Sequence, residues 1–136
     1  MAEVNVQQER LIRADTNAVC WIEIPIRDLE RARAFYERTL GITLTSQTMG
    51  EYEMLMFPAE HEKLGAGGCL MKGPKMEPCH KGTTVYFNVT NIEAALARAK
   101  QNGGEVIVEK TAIGEYGYFA IVKDTEGNHL GLHSMT

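Results

Sequence analysis

The sequence has few cysteines, few aromatic residues and no excess of basic residues, and each shortage excludes a class of protein. Three cysteines in 136 residues do not make a disulfide framework, so we interpret them as reduced thiols of a cytoplasmic protein. The net charge of −4 argues against a surface that binds nucleic acid. No apolar run has the length of a membrane span, so we expect no membrane partner.

The beginning of the chain differs in character from the rest. Residues 1–17 are polar and lack the apolar core of a secretory signal peptide, and we interpret them as an N-terminal arm. Residues 18–136 are enough for a single domain with a hydrophobic core of its own. The proportions of hydrophobic residues, 44%, and charged residues, 24%, are typical of a folded domain.

An internal repeat is the most informative feature that the sequence contains. The segment Trp21–Glu30 aligns with Thr84–Glu93, and the apolar positions of the two segments coincide. Asp28 aligns with Asn91, and both are residue types that begin helices. A repeat of this kind indicates one supersecondary unit that is used twice.

The two copies contain the same series of patterns. In the first copy, residues 19–26 alternate as a strand does, and Cys20 falls on the apolar side, where we expect it to be buried. The first copy further predicts a helix at about 28–40 and strands near 42–47, 52–58 and 66–72. The second copy predicts a strand at 83–89, a helix at about 91–102 and strands near 104–110, 117–123 and 128–134.

These patterns predict an α+β fold of two tandem βαβββ modules, at about 18–72 and 83–134. A linker at 73–82, which contains Pro74 and Pro78, joins the modules. We expect the strands to form a curved mixed sheet around a cleft. The function then depends on the residues that line this cleft.

Strand periodicity identifies the side chains that face away from the helices. In the first strand of each copy, polar and aromatic residues occupy this open face, and in the last strand two histidines and a glycine do so. The predicted ligand-binding residues are Trp21, Thr84, Tyr86, Asn88, His129 and Gly131. The predicted catalytic residues are Glu23, as a general base, and His133.

Each of these residues also has a purely structural interpretation. Glu23 beside Trp21 could lose contact with water and act as a base, or it could be a carboxylate that bonds to neighbouring strands or to a dimer partner. His133 could be a partly exposed residue near the chain end. Tyr86 and Asn88 could orient a ligand or simply line a wet groove.

Two motifs extend the analysis to a known family. Ile24–Tyr36, followed by Leu40–Gly41, resembles the opening signature of the vicinal oxygen chelate superfamily, and Gly117–Leu132 resembles its final hairpin. That superfamily includes glyoxalase I, extradiol dioxygenases and the bleomycin resistance proteins. The resemblance covers about residues 18–134, is greatest to small glyoxalase-related members, and implies the glyoxalase/bleomycin resistance fold.

The resemblance also implies where a metal would bind. Enzymes of the superfamily carry one metal ligand on each of four inward strands. The matching positions here are Trp21, Thr84, Gly131 and either Gly68 or Leu70, and none of these residues suits zinc, nickel or iron. We therefore predict no cofactor; a divalent metal stays possible, but the sequence does not support one.

Three functions remain open at this point. The first is binding of a small organic molecule in the cleft without the usual metal. The second is a lyase or isomerase of the glyoxalase kind with Glu23 as base, and the third is a non-catalytic dimeric interaction domain. We expect a homodimer in each case, because open sheet edges invite pairing and twofold dimers are the commonest soluble assemblies.

Overall fold

The computed structural model describes residues 10–60 and 62–136 of the chain. Residues 1–9 of the predicted N-terminal arm therefore lie outside the described residues. Residues 10–17 contain no helix or strand. No helix within the described ranges is long and apolar enough to cross a membrane.

The predicted order of elements is confirmed in both modules. Module one contains β1 (Trp21–Pro25), α1 (Leu29–Leu40), β2 (Thr45–Met49), β3 (Tyr52–Met56) and β4 (Gly67–Lys72). Module two contains β5 (Val85–Asn88), α2 (Ile92–Gln101), β6 (Glu105–Ala112), β7 (Tyr118–Lys123) and β8 (His129–Ser134). The fold is therefore α+β and is built from two βαβββ units.

Each module forms one mixed, four-stranded sheet. The strand orders are β1-β4-β3-β2 and β5-β8-β7-β6, so that β1 and β5 are edge strands in equivalent places. β1 runs parallel to β4, and β5 runs parallel to β8. The register pairs Ile22 with Gly68 in module one and Val85 with Leu130 in module two. Because Ile22 and Val85 are equivalent in the repeat, their strand partners Gly68 and Leu130 are equivalent too.

The two helices begin as the repeat predicts. The side chain of Asp28 accepts a hydrogen bond of 2.9 Å from the Arg31 N–H, and that of Asn91 accepts one of 2.9 Å from the Ala94 N–H. Both residues thereby satisfy an N–H group that the first helical turn would otherwise leave unpaired. Gly41 ends α1 at a φ of 67°, a conformation that glycine adopts without steric cost.

The modules share one hydrophobic core. Buried residues of both helices and both sheets form a continuous cluster. At its centre, the Tyr36 ring of α1 lies 6.1 Å from the Phe57 ring and 6.4 Å from the Phe87 ring. Phe87 belongs to module two, so the first helix is held by residues of both halves. This shared packing couples the modules into a single folding unit.

The turn between β7 and β8, residues 124–128, ties module two to the start of α1. The Asp124 carboxylate is buried, and one oxygen accepts from the N–H groups of Glu126, Gly127 and Asn128, each at 2.8 Å. Its other oxygen accepts from the Tyr36 hydroxyl at 2.6 Å and from the Asn128 amide at 2.9 Å. Hydrogen bonds to both oxygens of the Asp124 carboxylate thus hold the turn in place.

Glu126 of the same turn reaches the other module. Its Oε1 accepts from the backbone N–H groups of Arg27 at 2.8 Å and Asp28 at 2.9 Å. Its Oε2 accepts from the Arg31 guanidinium at 2.7 Å, and the Glu126 side chain has no exposed surface. A carboxylate therefore sits at the N-terminus of α1, where the helix dipole favours negative charge.

One expectation about the core is wrong. Cys20 is exposed rather than buried, because β1 begins one residue later, at Trp21. The alternation of residues 19–26 therefore overstates the length of the strand. Among the described residues all three cysteines are free thiols, in agreement with the interpretation from composition.

Candidate functional site

Two cavities lie where the modules meet, and residues of both β1 and β5 line each of them. The large cavity has a volume of about 690 Å³ and the small cavity about 220 Å³. The large cavity is bordered by 66–68 and 86–88, and the small cavity by the equivalent residues 128–130 and 23–25. The two cavities therefore border equivalent strand segments of the two modules, whereas the start of α2 lines the large cavity and the linker lines the small one.

The large cavity is open because module one lacks a counterpart of the 124–128 turn. By register, Leu64 takes the place of Glu126, and it is 95% exposed at the cavity mouth. Ala66 and Gly67 then replace the larger Asn128 and His129 that lead into and begin β8. Small side chains leave space that the buried Asp124 and Glu126 fill in the other copy.

The lining of the large cavity combines apolar and polar surface in similar amounts. Its apolar wall includes Ile22, Leu40, Ile42, Phe57 and Phe87. Its polar residues are Thr39, Tyr86, Asn88, Thr90, Asn91 and Arg98. Arg98 is the single charged residue among the described residues that line it. A wall that combines apolar surface with hydrogen-bonding groups suits a small organic molecule that has both kinds of surface.

Thr39 is the most unusual group in this wall. It is 2% exposed, and its hydroxyl has no hydrogen-bond partner among the described residues. A buried hydroxyl without a partner loses the hydrogen bonds that water would give it. A bound molecule with a polar group could restore such a bond.

Two of the predicted ligand-binding residues line the large cavity. They are Tyr86 and Asn88, which extend from the open face of β5. The Tyr86 ring lies directly over Gly131, where a Cβ atom would collide with it. Gly131 thus makes room for the tyrosine ring, and it does not itself line either cavity.

Trp21 and Glu23 form a second group. The Trp21 indole N–H donates a 3.2 Å hydrogen bond to the Glu23 carboxylate. Glu23 lines the small cavity together with His129, while its residue remains exposed. The Glu23 carboxylate therefore stays in contact with water in the described part of the chain, whereas a general base would need water to be excluded.

The large cavity is not lined by the remaining predicted residues, Thr84, His129 and His133. Thr84 is exposed and precedes β5. The His129 ring packs against the His80 ring at 4.9 Å, and His133 Nε2 lies 2.6 Å from the Tyr116 carbonyl oxygen. The structure therefore distributes the predicted site residues over two cavities and the neighbouring open faces.

The fourth metal position needs a correction. The register pairs Glu23 with Cys69 and Tyr86 with Gly131, so the counterpart of Gly131 is Cys69, and neither Gly68 nor Leu70. Burial, and then the charge of Glu23, raises the pKa of the Cys69 thiol to about 11, which disfavours the thiolate that binds metals. No group of three or more His, Cys, Asp or Glu residues in the described ranges could hold a metal ion. The residues present do not fit the metal of the superfamily.

Sequence reasoning missed the helix side of the large cavity. Thr39, Ala94 and Arg98 line it, although they lie on α1 and α2 rather than on an open sheet face. Strand periodicity could not identify them, because it distinguishes only the two faces of a strand. The one signal of a cavity in the sequence was the run of small residues at 65–68, because short side chains leave space there.

Two βαβββ modules with a cleft at their junction define a recognisable class of α+β protein. The chain belongs to the Glyoxalase/Bleomycin resistance protein/Dioxygenase superfamily, whose family model matches residues 18–132. The resemblance of the opening and closing motifs is thereby confirmed.

Relatives of known sequence support the same assignment. The chain is 31% identical to CFP32 of Mycobacterium tuberculosis over 115 residues, which are 83% of this chain and 42% of that protein. It therefore spans less than half of that relative. It is 30% identical to a glyoxylase-like domain-containing protein of Didymella fabae over 111 residues, which are 79% of this chain and 85% of that protein.

Solved structures show the same fold. Glyoxalase I from Zea mays has a TM-score of 0.66 at 24% identity, over 90% of this chain and 48% of that chain. TnmS3, an antibiotic binding protein from Streptomyces sp. CB03234, has a TM-score of 0.68 at 22% identity, over 91% of this chain and 100% of that chain. At these identities the similarity defines the architecture, which supports many different chemistries.

Proposed function

We propose that this glyoxalase-like protein binds a small organic molecule in the large cavity, without the metal that is usual in the superfamily. The observation that carries the proposal is the large cavity itself, about 690 Å³ in volume. Cavities that bind small molecules commonly measure about 300–1,000 Å³. The equivalent space at the start of α1 is filled by the buried Glu126 side chain of the 124–128 turn, so the opening is specific to the start of α2.

The walls of the cavity support this proposal chemically. An apolar ligand body would pack against Ile22, Phe57 and Phe87, and burying it would contribute about 25 cal/mol per Å² of apolar surface. Asn88 and Thr39 would orient its polar groups by hydrogen bonds. TnmS3 is an antibiotic binding protein of the same fold, which agrees with a binding role for such an architecture.

A ligand screen tests the proposal directly. Trp21 is the only tryptophan of the chain, and its ring lies 3.5 Å from the Cβ position of Gly67, a residue that lines the large cavity. Intrinsic fluorescence therefore reports occupancy locally. Melting temperature gives an independent signal, because a ligand that binds only the folded state stabilises it. Metabolites and antibiotics should be screened with and without divalent metals.

Filling the cavity is expected to abolish binding. Ala94 lies on α2, is half-buried and lines the large cavity, so Ala94→Phe places a ring in the ligand space. We expect affinity for any compound found in the screen to fall by about 100-fold or more, since the ligand and the ring cannot occupy the same volume. Isothermal titration calorimetry measures the change.

Ala97→Phe is the matched control for that experiment. Ala97 is exposed on the same helix and lines neither cavity, so its substitution should leave affinity unchanged. Equal affinities for both variants would show that the compound binds elsewhere and would contradict the proposal. Binding that requires an added divalent metal would contradict its metal-free part.

The catalytic alternative is a lyase or isomerase of the glyoxalase kind. It would use Glu23 as base in the small cavity, where His129 also lies. Glu23 is exposed and accepts a hydrogen bond from Trp21. The small cavity holds about 220 Å³, less than the usual range for a drug-sized ligand. These observations favour binding in the large cavity over chemistry at Glu23.

We also propose that the protein is a homodimer. Trp21 is 43% exposed, Tyr86 51% and Ile107 41%, and a second chain that packed on the strands could bury these side chains. The outer strand β2 is exposed along its whole length, so its edge is available for pairing. Light scattering at micromolar concentration should give the mass of two chains. A mass of one chain would exclude the dimer and the dimeric interaction domain together.

A further inference from the structure

The 124–128 turn shows what the start of α1 is arranged to bind. In module one, the N–H groups of Arg27 and Asp28 point at the Glu126 carboxylate, which accepts from both. The Arg31 guanidinium completes the arrangement at 2.7 Å. The Thr125 hydroxyl also donates to it, at 2.9 Å. A buried carboxylate with donors from four residues is a strongly held anion, because hydrogen bonds to a charged group are about twice as strong as neutral ones.

Module two presents the same backbone without the carboxylate. Thr90 and Asn91 are the counterparts of Arg27 and Asp28, and both line the large cavity. Asn91 has an extended backbone like that of Asp28, with φ −153° against −126°. In the parts of the chain that the structure describes, no group accepts from the N–H of Thr90 or Asn91.

Side chains of the cavity favour a negative group at this place. Ala94 stands where module one has Arg31, and Arg98 lies one turn further along the same face of α2 as Asn91 and Ala94. No acidic residue in the described ranges lines the cavity, so no carboxylate of the lining pairs with Arg98. The unpartnered, buried Thr39 hydroxyl offers a further hydrogen bond at the α1 wall.

We infer that the large cavity selects organic molecules that carry a carboxylate, and that this group occupies the place beside α2 that Glu126 occupies beside α1. The N–H groups of Thr90 and Asn91 donate hydrogen bonds to the anion, and Arg98 supplies the attracting charge. The apolar body of the ligand lies toward Phe57 and Phe87. This inference rests on the proposed binding function, and names the class of ligand.

Pairs of compounds that differ only in charge test the inference. We would measure the affinities of 1-naphthoate and 1-naphthamide, and of 4-phenylbutanoate and 4-phenylbutanamide, by calorimetry on the full chain. Each carboxylate should bind at least about 10-fold tighter than its amide. Arg98→Gln should remove most of that preference and leave the affinity for the amides nearly unchanged.

Arg38→Gln is the matched control, because Arg38 is exposed on α1 and lines neither cavity.

A second pair of variants tests the position of the anion. Leu64→Glu places a carboxylate at the counterpart of Glu126, where it should compete with the ligand and weaken the binding of carboxylates about 10-fold relative to Leu64→Gln.

The outcomes separate this inference from the proposed function. Equal binding of carboxylates and amides, both lost in Ala94→Phe, would overturn the inference and leave the proposed function standing. A preference for carboxylates that survives Arg98→Gln and Leu64→Glu would also overturn it. If neither probe pair binds, the inference fails, while uncharged compounds in the screen still test the proposed function.

Discussion

Replacing Asp124 by alanine is expected to lower the free energy of unfolding by about 4 kcal/mol or more, an unusually large effect for one substitution. The Asp124 carboxylate accepts five hydrogen bonds and is only 2% exposed. Its removal leaves the Tyr36 hydroxyl and three backbone N–H groups without their acceptor. Each buried donor without an acceptor costs about 1–3 kcal/mol. Urea unfolding followed by circular dichroism measures the loss.

Asp28→Ala is the matched control for this prediction. Asp28 is exposed, and its side chain accepts one hydrogen bond, from the Arg31 N–H at the start of α1. Loss of such a cap costs about 1 kcal/mol. If both substitutions proved equally mild, the 124–128 turn would not be the connection between modules that the hydrogen bonds indicate.

Glu126→Gln is expected to destabilise the protein by about 3 kcal/mol at neutral pH, because it leaves Arg31 without its buried partner. Burial acts to raise the pKa of Glu126. The hydrogen bonds from Arg31, from the N–H groups of Asp28 and Arg27 and from Thr125 outweigh burial and lower the pKa to about 2. The measurement is guanidinium unfolding at a series of pH values.

The direction of the pH effect follows from this lowered pKa. A depressed pKa means that the stabilisation is complete above about pH 4.5, the ordinary value, and is lost as pH falls through about 2. Wild-type stability should therefore fall steeply over this interval, and that of Glu126→Gln should fall less. The hydrogen bond from Lys110 also lowers the pKa of the exposed Glu93, so Glu93→Gln should change the slope slightly, and much less than Glu126→Gln. Parallel curves for wild type and Glu126→Gln would contradict the assignment.

Much of the fold could be predicted from local patterns. Asp28 and Asn91 mark helix starts because their side chains accept from the first turn, and that chemistry needs no tertiary context. The alternation of Trp21, Ile22 and Glu23 identified the helix side of β1, since successive strand residues point to opposite faces. The repeat then specified that one unit occurs twice, and the family followed from its motifs.

Other features depend on how the strands and modules meet. The pairing of Glu23 with Cys69 required the observed register, because the loop between β3 and β4 differs in length from the turn between β7 and β8. A shift of one residue moves every side chain of a strand to the other face. No local pattern reports such a shift, so the fourth metal position was assigned to the wrong residues.

The sequence alone determined the two modules, their helix starts and the open faces of their strands, because these follow from periodicity and capping within short segments. Only the tertiary structure decided which of the two equivalent sites is open. Glu126 closes one by reaching the N–H groups of Arg27 and Asp28 across almost the whole chain. The other stays open beside Thr39 and Arg98, because burial and pairing between distant residues arise only when the modules pack together.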